Sequence, residues 1–287
     1  MVKARKASSQ DIDSVADFLC HHFNGRLKRN DWCLLFNTEW NDDDRFPGFL
    51  LENSSGIVGF VGTLLSRRLI KSRYHRFCNI HSWVVEPEYR NQSIELAAPI
   101  LKLKDYNFTN FTTVSQNVQF MMKIFGFKVL ESASQVLFPF PDYRFRGFNL
   151  QIDVVFERDE IAKHLNEHES KIFADHLNEN CTHILVRSMS ETCYIIAKET
   201  ILKNIRFAYV YLISNPEFFL KTVDVLRGVI VQKMNTIGLI VENRFVHGEK
   251  MRFSVKRKVA RYYKPATVAR EDIDNLYSEL VLLPRIS

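Results

Sequence analysis

The sequence predicts an α/β fold of two consecutive domains, each a mixed sheet flanked by helices. Three observations predict it. Apolar residues fall in turn at strand spacing and at helical spacing, the order of these segments in the first half is echoed in the second, and 287 residues exceed the size at which one core usually divides. With 46% apolar and 25% charged residues the chain has material for two cores. The first domain is expected over residues 1–147 and the second over 148–287.

Residues 2–6 read as a short strand. Ser8, Ser9, Gln10 and Asp11 then supply capping residues before Ile12, Val15, Ala16 and Leu19 at helical spacing. Residues 49–51 and 57–65 are strand-like, and Asn53-Ser54-Ser55-Gly56 between them suits a tight hairpin turn. A third strand is expected over 74–85, a helix over 94–103, a strand over 108–114, a helix over 118–125 ended by Gly126, and a strand over 127–130. In the second half the pattern predicts a helix over 157–177, strands over 182–187, 192–198 and 206–213, a long apolar helix over 218–234 and a strand over 237–241. The tail adds a strand over 251–259 and a helix over 272–280. The two halves match in element order and not in residue identity.

The formal charge of +6 favours anionic partners without choosing among them. No run is apolar and long enough to span a bilayer, and the N-terminal residues enter a polar segment without the apolar stretch of a signal peptide. The five scattered cysteines (Cys20, Cys33, Cys78, Cys181, Cys193) suit neither a disulfide framework nor a metal knuckle. A cytoplasmic, reduced protein is expected.

One segment carries chemistry. Val84-Val85-Glu86-Pro87-Glu88-Tyr89-Arg90-Asn91-Gln92-Ser93-Ile94 resembles the GCN5-related N-acetyltransferase (GNAT) motif, in which a strand ending in Val-x-Pro-x-Tyr-Arg runs into Arg/Gln-x-x-Gly-x-Gly/Ala at a helix start. Ser115 to Phe127, ending in Phe-Gly-Phe, resembles a second landmark of that superfamily. The resemblance implies two tandem GNAT-like domains and an acyltransferase. Acetyl-CoA or a longer acyl-CoA would be its co-substrate, with the pyrophosphate on loop amides and the helix N-terminus. It implies that Val84, Val85, Arg90, Asn91, Gln92, Ser93 and Ile94 bind the cofactor, with a Val84 or Val85 amide polarising the thioester carbonyl.

Several positions depart from the motif. Ser93 and Glu95 replace two small residues, and a carboxylate at 95 repels a pyrophosphate unless it turns outward. Pro99 falls within the expected helix. Met122 stands where many GNAT members have a tyrosine proton donor, and a thioether donates no proton. His81 aligns near the position of the family's catalytic glutamate and is the candidate general base, against the reading of a satisfied structural histidine. Asn117 either hydrogen-bonds the pantetheine arm or merely starts a helix.

The acceptor would be an amine or hydroxyl, with cell-surface polysaccharide or N-acyl amino acid synthesis as possible settings. The alternative is a non-catalytic GNAT-like binding or scaffold protein. In the second half the matching strand end reads Ser214-Asn215-Pro216-Glu217-Phe218-Phe219, without glycine or arginine, which implies an acceptor-site or structural role.

Other signals point to structure. His164-Leu165-Asn166-Glu167-His168 fits an inverted zinc-protease pattern, but the helix already has a place in the repeat, so no metal is expected. Lys250, Arg252, Lys256, Arg257, Lys258 and Arg261 are read as a solvated strand face, with no finger, helix-turn-helix or RNP pattern to indicate nucleic acid. The aromatic run Phe138 to Arg146 is read as interface packing, with the lining of an apolar acyl pocket as the alternative.

Overall fold

The computed structural model describes residues 2–23, 27–38, 40, 46–112, 115–140, 152–177 and 180–284. In chain order they form β1 (Lys3–Lys6), α1 (Ile12–His22), α2 (Arg29–Cys33), β2 (Gly48–Asn53), β3 (Gly56–Ile70), β4 (Arg73–Val85), α3 (Ser93–Leu101), β5 (Tyr106–Asn110), α4 (Gln116–Ile124) and β6 (Lys128–Leu137). There follow β7 (Asp153–Val155), α5 (Arg158–Ala162), α6 (Glu167–Asp175), β8 (Cys181–Arg187), β9 (Thr192–Leu202), β10 (Ile205–Ile213), α7 (Pro216–Lys233), β11 (Leu239–Glu242), β12 (Ser254–Lys264) and α8 (Glu279–Leu282). The chain divides into two compact units. The first is Met1–Leu130 with Arg261–Arg270 and Tyr277–Pro284, and the second contains Glu131–Ala260 and Glu271–Leu276. The boundary expected at Gly147, and the aromatic run from residue 141 onward, lie outside the described residues.

In the first unit β1 to β4 form an antiparallel meander. Its first turn is set by Asn53, whose Oδ1 accepts the amides of Ser55 and Gly56, with Gly56 at φ +133. Arg5 binds both Asp11 and Glu52 and so ties β1 to β2 and to the start of α1. Helix α3 then leads from β4 to the parallel strand β5, burying Leu96, Ala97 and Ile100. Pro99 is tolerated because α3 ends at Leu101, so only the last turn lacks an amide. The far edge of β5 pairs antiparallel with Tyr262–Lys264 of β12.

The second unit repeats this plan. Strands β7 to β10 are antiparallel, α7 leads from β10 to the parallel strand β11, and β6 closes the far edge of β11 antiparallel. Helix α7 buries Phe218, Phe219, Val223, Leu226 and Ile230 against strand residues such as Ile195, Ala208 and Val241. Each large side chain so buried contributes about 1.5–3 kcal/mol.

Two expected helices differ. The helix expected over 157–177 is broken into α5 and α6 because Asn166 caps α6: its side chain accepts the Glu169 amide at 2.9 Å and its own amide donates to the Glu169 carboxylate at 3.1 Å. The break separates His164 from His168, so they do not share one helix. The tail helix expected over 272–280 is replaced by a 3-10 turn at Arg270–Asp272 and the short α8. No described helix is long and apolar enough to cross a membrane.

Candidate active site

The pairing of β4 with β5 runs from Arg76↔Tyr106 to Asn79↔Thr109; β5 then ends at Asn110, while β4 continues to Val85. Asn110 Nδ2 donates to the Ile80 carbonyl at 2.8 Å, after which the two strands part. On its other side β4 carries a bulge. The register steps from Gly62↔His81 to Phe60↔Val84, so Val61 faces both Ser82 and Trp83, and Ser82 adopts φ +49. A bulge re-aims the strand end, and here it presents the backbone of 82–85 at the parting of two parallel strands. In open α/β sheets such a point is where ligands bind.

The expected cofactor residues follow this edge. Val84 is half-buried and Val85 buried. Residues Pro87–Gln92 form a 3-10 turn running directly into α3. Arg90, Asn91 and Ile94 are exposed, and Gln92 and Ser93 half-buried. Trp83 Nε1 donates to Ser93 Oγ at 2.9 Å, and the Trp83 ring stacks on Phe125 at 6.2 Å, so the bulge is anchored to the start of α3 and the end of α4. Glu95 is exposed and turns outward. The 3-10 turn bonds the Tyr89 amide to Glu86 and the Ser93 amide to Arg90, so part of the expected amide cradle is used internally. The β4 edge, the Ser93 hydroxyl and the Arg90 guanidinium remain as groups for a phosphorylated arm. Asn117 is exposed in the first turn of α4, at the end opposite the Trp83 stack. Met122 is buried.

His81 stands just before the bulge and is buried. Its Nδ1 lies 3.0 Å from Ser82 Oγ, and its Nε2 has no hydrogen-bond partner among the described residues. The ring lies over Gly62, where a Cβ would come within 2.2 Å of Cε1. Burial depresses its pKa to about 3, which keeps the imidazole neutral.

The backbone as a whole is similar to a GCN5-related N-acetyltransferase of Anabaena variabilis (TM-score 0.59, 13% identity, 92% of this chain and 72% of that one). It is equally similar to one from Kribbella flavida (TM-score 0.60, 14% identity, 92% and 70%). The chain has the GNAT fold. A third likeness is to the GCN5-related glucosamine N-acetyltransferase region of a fungal multi-domain β-N-acetylglucosaminidase (TM-score 0.60, 12% identity, 92% of this chain and 38% of that one). No protein-family model and no characterised protein matches the sequence itself.

Within the GNAT fold the structure gathers a polar cluster that sequence reading missed. Glu279 of α8 is buried, and its carboxylate accepts from Asn79 Nδ2 and, at 2.5 Å, from Thr112 Oγ1. Thr109 Oγ1 in turn donates to Asn79 Oδ1 at 3.1 Å. Asn79 is the last β4 residue paired to β5 and shares a strand face with His81. Burial raises the Glu279 pKa, opposed by its two hydrogen bonds and the charge of Arg261. The only sequence signal was an acidic residue inside an apolar tail.

The second unit of the GNAT fold has the same bulge in the same place, and there it is filled. The β9–β10 register slips at Tyr211, and β10 pairs with β11 only at Ala208 and Tyr209. The Tyr211 carbonyl accepts the Asn275 amide at 3.1 Å, and Arg244 fixes the same tail segment by donating to the Ile273 carbonyl and to Asn275 Oδ1. Ile273, Asn275 and Leu276 are buried. At the adjoining helix start the Asn215 side chain accepts the Phe218 amide at 3.0 Å, and Phe218 and Phe219 lie in the core. Residues 273–276 thus pack against the bulged end of β10.

Proposed function

We propose that the chain is an acyl-CoA-dependent acyltransferase using the parted end of β4 and β5 in the first unit. The observation that carries this reading is the contrast between the two bulged strand ends: β4 is followed by an exposed arginine-bearing turn, whereas β10 is filled by Asn275. In this reading Arg90, Asn91, Gln92, Ser93 and Ile94 hold the pyrophosphate, Asn117 meets the pantetheine arm, and a Val84 or Val85 amide polarises the thioester carbonyl. The acceptor amine or hydroxyl attacks that carbon, its new bond replaces the carbon–sulfur bond, and CoA leaves as a thiolate that takes a proton from water, since Met122 has none to give.

A neutral, buried His81 is a weak base and serves as a hydrogen-bond partner for the acceptor. Glu279, whose pKa burial raises, is the stronger base of the two and the candidate to accept the acceptor's proton. One acyl-CoA is bound per chain, before residue 147, and the second half serves the acceptor or the fold. An amine acceptor is favoured by the glucosamine N-acetyltransferase region among the fold neighbours. A cytoplasmic setting, in polysaccharide or N-acyl amino acid synthesis, fits this chemistry.

A second reading, a GNAT-fold binding or scaffold protein, is favoured by the buried Met122 and the internally bonded 3-10 turn. Calorimetry with acetyl-CoA and longer acyl-CoAs separates the two. Saturable binding followed by thiol release with an amine panel supports transfer, whereas absence of binding at millimolar ligand leaves the scaffold.

A further inference from the structure

Residues 250–258 read Lys-Met-Arg-Phe-Ser-Val-Lys-Arg-Lys and contain no carboxylate. Sequence alone makes them a solvated basic strand face, but the structure adds two features. Phe253 and Val255 are 57% and 58% exposed, among exposed Lys250, Arg252, Lys256 and Lys258. Phe253 also adopts φ +54, a conformation that bulky residues rarely hold.

That conformation is supported from below by an aromatic base. Phe253 stacks on Phe140 at 5.7 Å and meets Phe138 edge-on at 6.4 Å, while the Phe138 amide donates to the Phe253 carbonyl. The Arg227 guanidinium lies 3.8 Å from the Phe140 ring centre and donates to the Arg252 carbonyl at 2.6 Å. Packing therefore holds the turn in place while leaving two apolar side chains in water. Within the second unit this gives an apolar tip surrounded mainly by cations; the acids beside it are Glu249 and Asp224, the latter paired to Arg227.

We propose that this turn docks the protein on an anionic lipid surface. Phe253 and Val255 enter the headgroup boundary, and Lys250, Arg252, Lys256 and Lys258 meet the lipid charges. Exposed hydrocarbon flanked by lysine and arginine is the composition that interfacial binding requires. A nucleic acid fits less well, because one face of Phe253 is already covered by Phe140 and an aliphatic Val255 offers no surface for base stacking. The docking does not depend on the proposed acyl transfer.

Co-sedimentation of the full chain with vesicles tests it, using phosphatidylcholine alone and with about 30% phosphatidylserine, at low and at about 0.5 M salt. Sedimentation with the anionic vesicles only, released by salt, is the expected result. Lys256→Glu with Lys258→Glu should weaken it by about tenfold or more. Val255→Ser should weaken it without lowering the melting temperature, since that side chain is exposed, and Phe253→Ser should weaken it as well, with some loss of stability from the lost stack on Phe140. Failure to sediment, equal sedimentation with uncharged vesicles, or indifference to both apolar substitutions overturns the proposal. So does binding of a single-stranded oligonucleotide without vesicle binding.

Discussion

The imidazole of His81 occupies the space that a side chain at residue 62 would need, with a Cβ there 2.2 Å from Cε1 and 2.5 Å from Nε2. Gly62 is therefore a glycine because of its cross-strand neighbour. Gly62→Ala should cost about 1–3 kcal/mol through displacement of the ring. His81→Ala should relieve most of that cost in the double variant, measured by a thermodynamic cycle from denaturant melts. Additive losses would place the strain elsewhere.

The buried, neutral His81 links stability to acid. Its folded pKa of about 3 lies below the ordinary 6.5, so the unfolded chain binds the extra proton between these values and stability falls as pH falls through that window. Replacing it by a group that does not titrate removes this loss. The stability deficit of His81→Asn, read from denaturant melts, should therefore shrink as pH drops from 7 towards 4, at a limiting slope of ~1.4 kcal/mol per pH unit.

Glu279 has the opposite sign. A carboxyl whose folded pKa is raised by burial favours folding fully below its unfolded value, and that contribution is lost as pH rises towards the folded one. Glu279→Gln can still accept from Asn79 and donate to Thr112, so relative to the parent it should gain stability as pH rises above the usual carboxylate range. If Glu279 takes the acceptor's proton, the same variant should lose about 10²–10⁴-fold in kcat with CoA affinity intact. Unchanged kcat would leave Glu279 a purely structural residue.

Arg90 and Glu95 should behave differently at the phosphate turn. Arg90→Ala should weaken CoA binding by about 1.5–3 kcal/mol, the value of a charge-assisted bond, as read by calorimetry. The outward-facing Glu95 predicts that Glu95→Gly changes affinity by less than about 1 kcal/mol, with that small change vanishing at high salt. A stoichiometry of two CoA per chain would contradict the filling of the second bulge by Asn275.

Much of the secondary structure was legible because periodicity is local. The hairpin at Asn53 to Gly56, the helix that became α7 and the strand ending at Val85 each follow from residues within a few positions of one another. The break between α5 and α6 was also written locally, as Asn166 followed three residues later by Glu169, but the apolar pattern masked that cap. Motif likeness located the turn at Arg90 without revealing that it winds as a 3-10 helix or that Trp83 binds the Ser93 hydroxyl.

By itself the sequence determined the order of strands and helices, the doubled α/β plan and the segment on which a phosphate-bearing ligand is sought. Only the tertiary structure decided that β6 pairs with β11 and β12 with β5, that one bulge is filled by Asn275, and that Glu279 meets Asn79 across 200 residues of chain. The reason is physical: propensity and periodicity act over a few residues, whereas the partner of a buried carboxyl is set by where the whole chain brings its tail, and no short window of sequence contains that path.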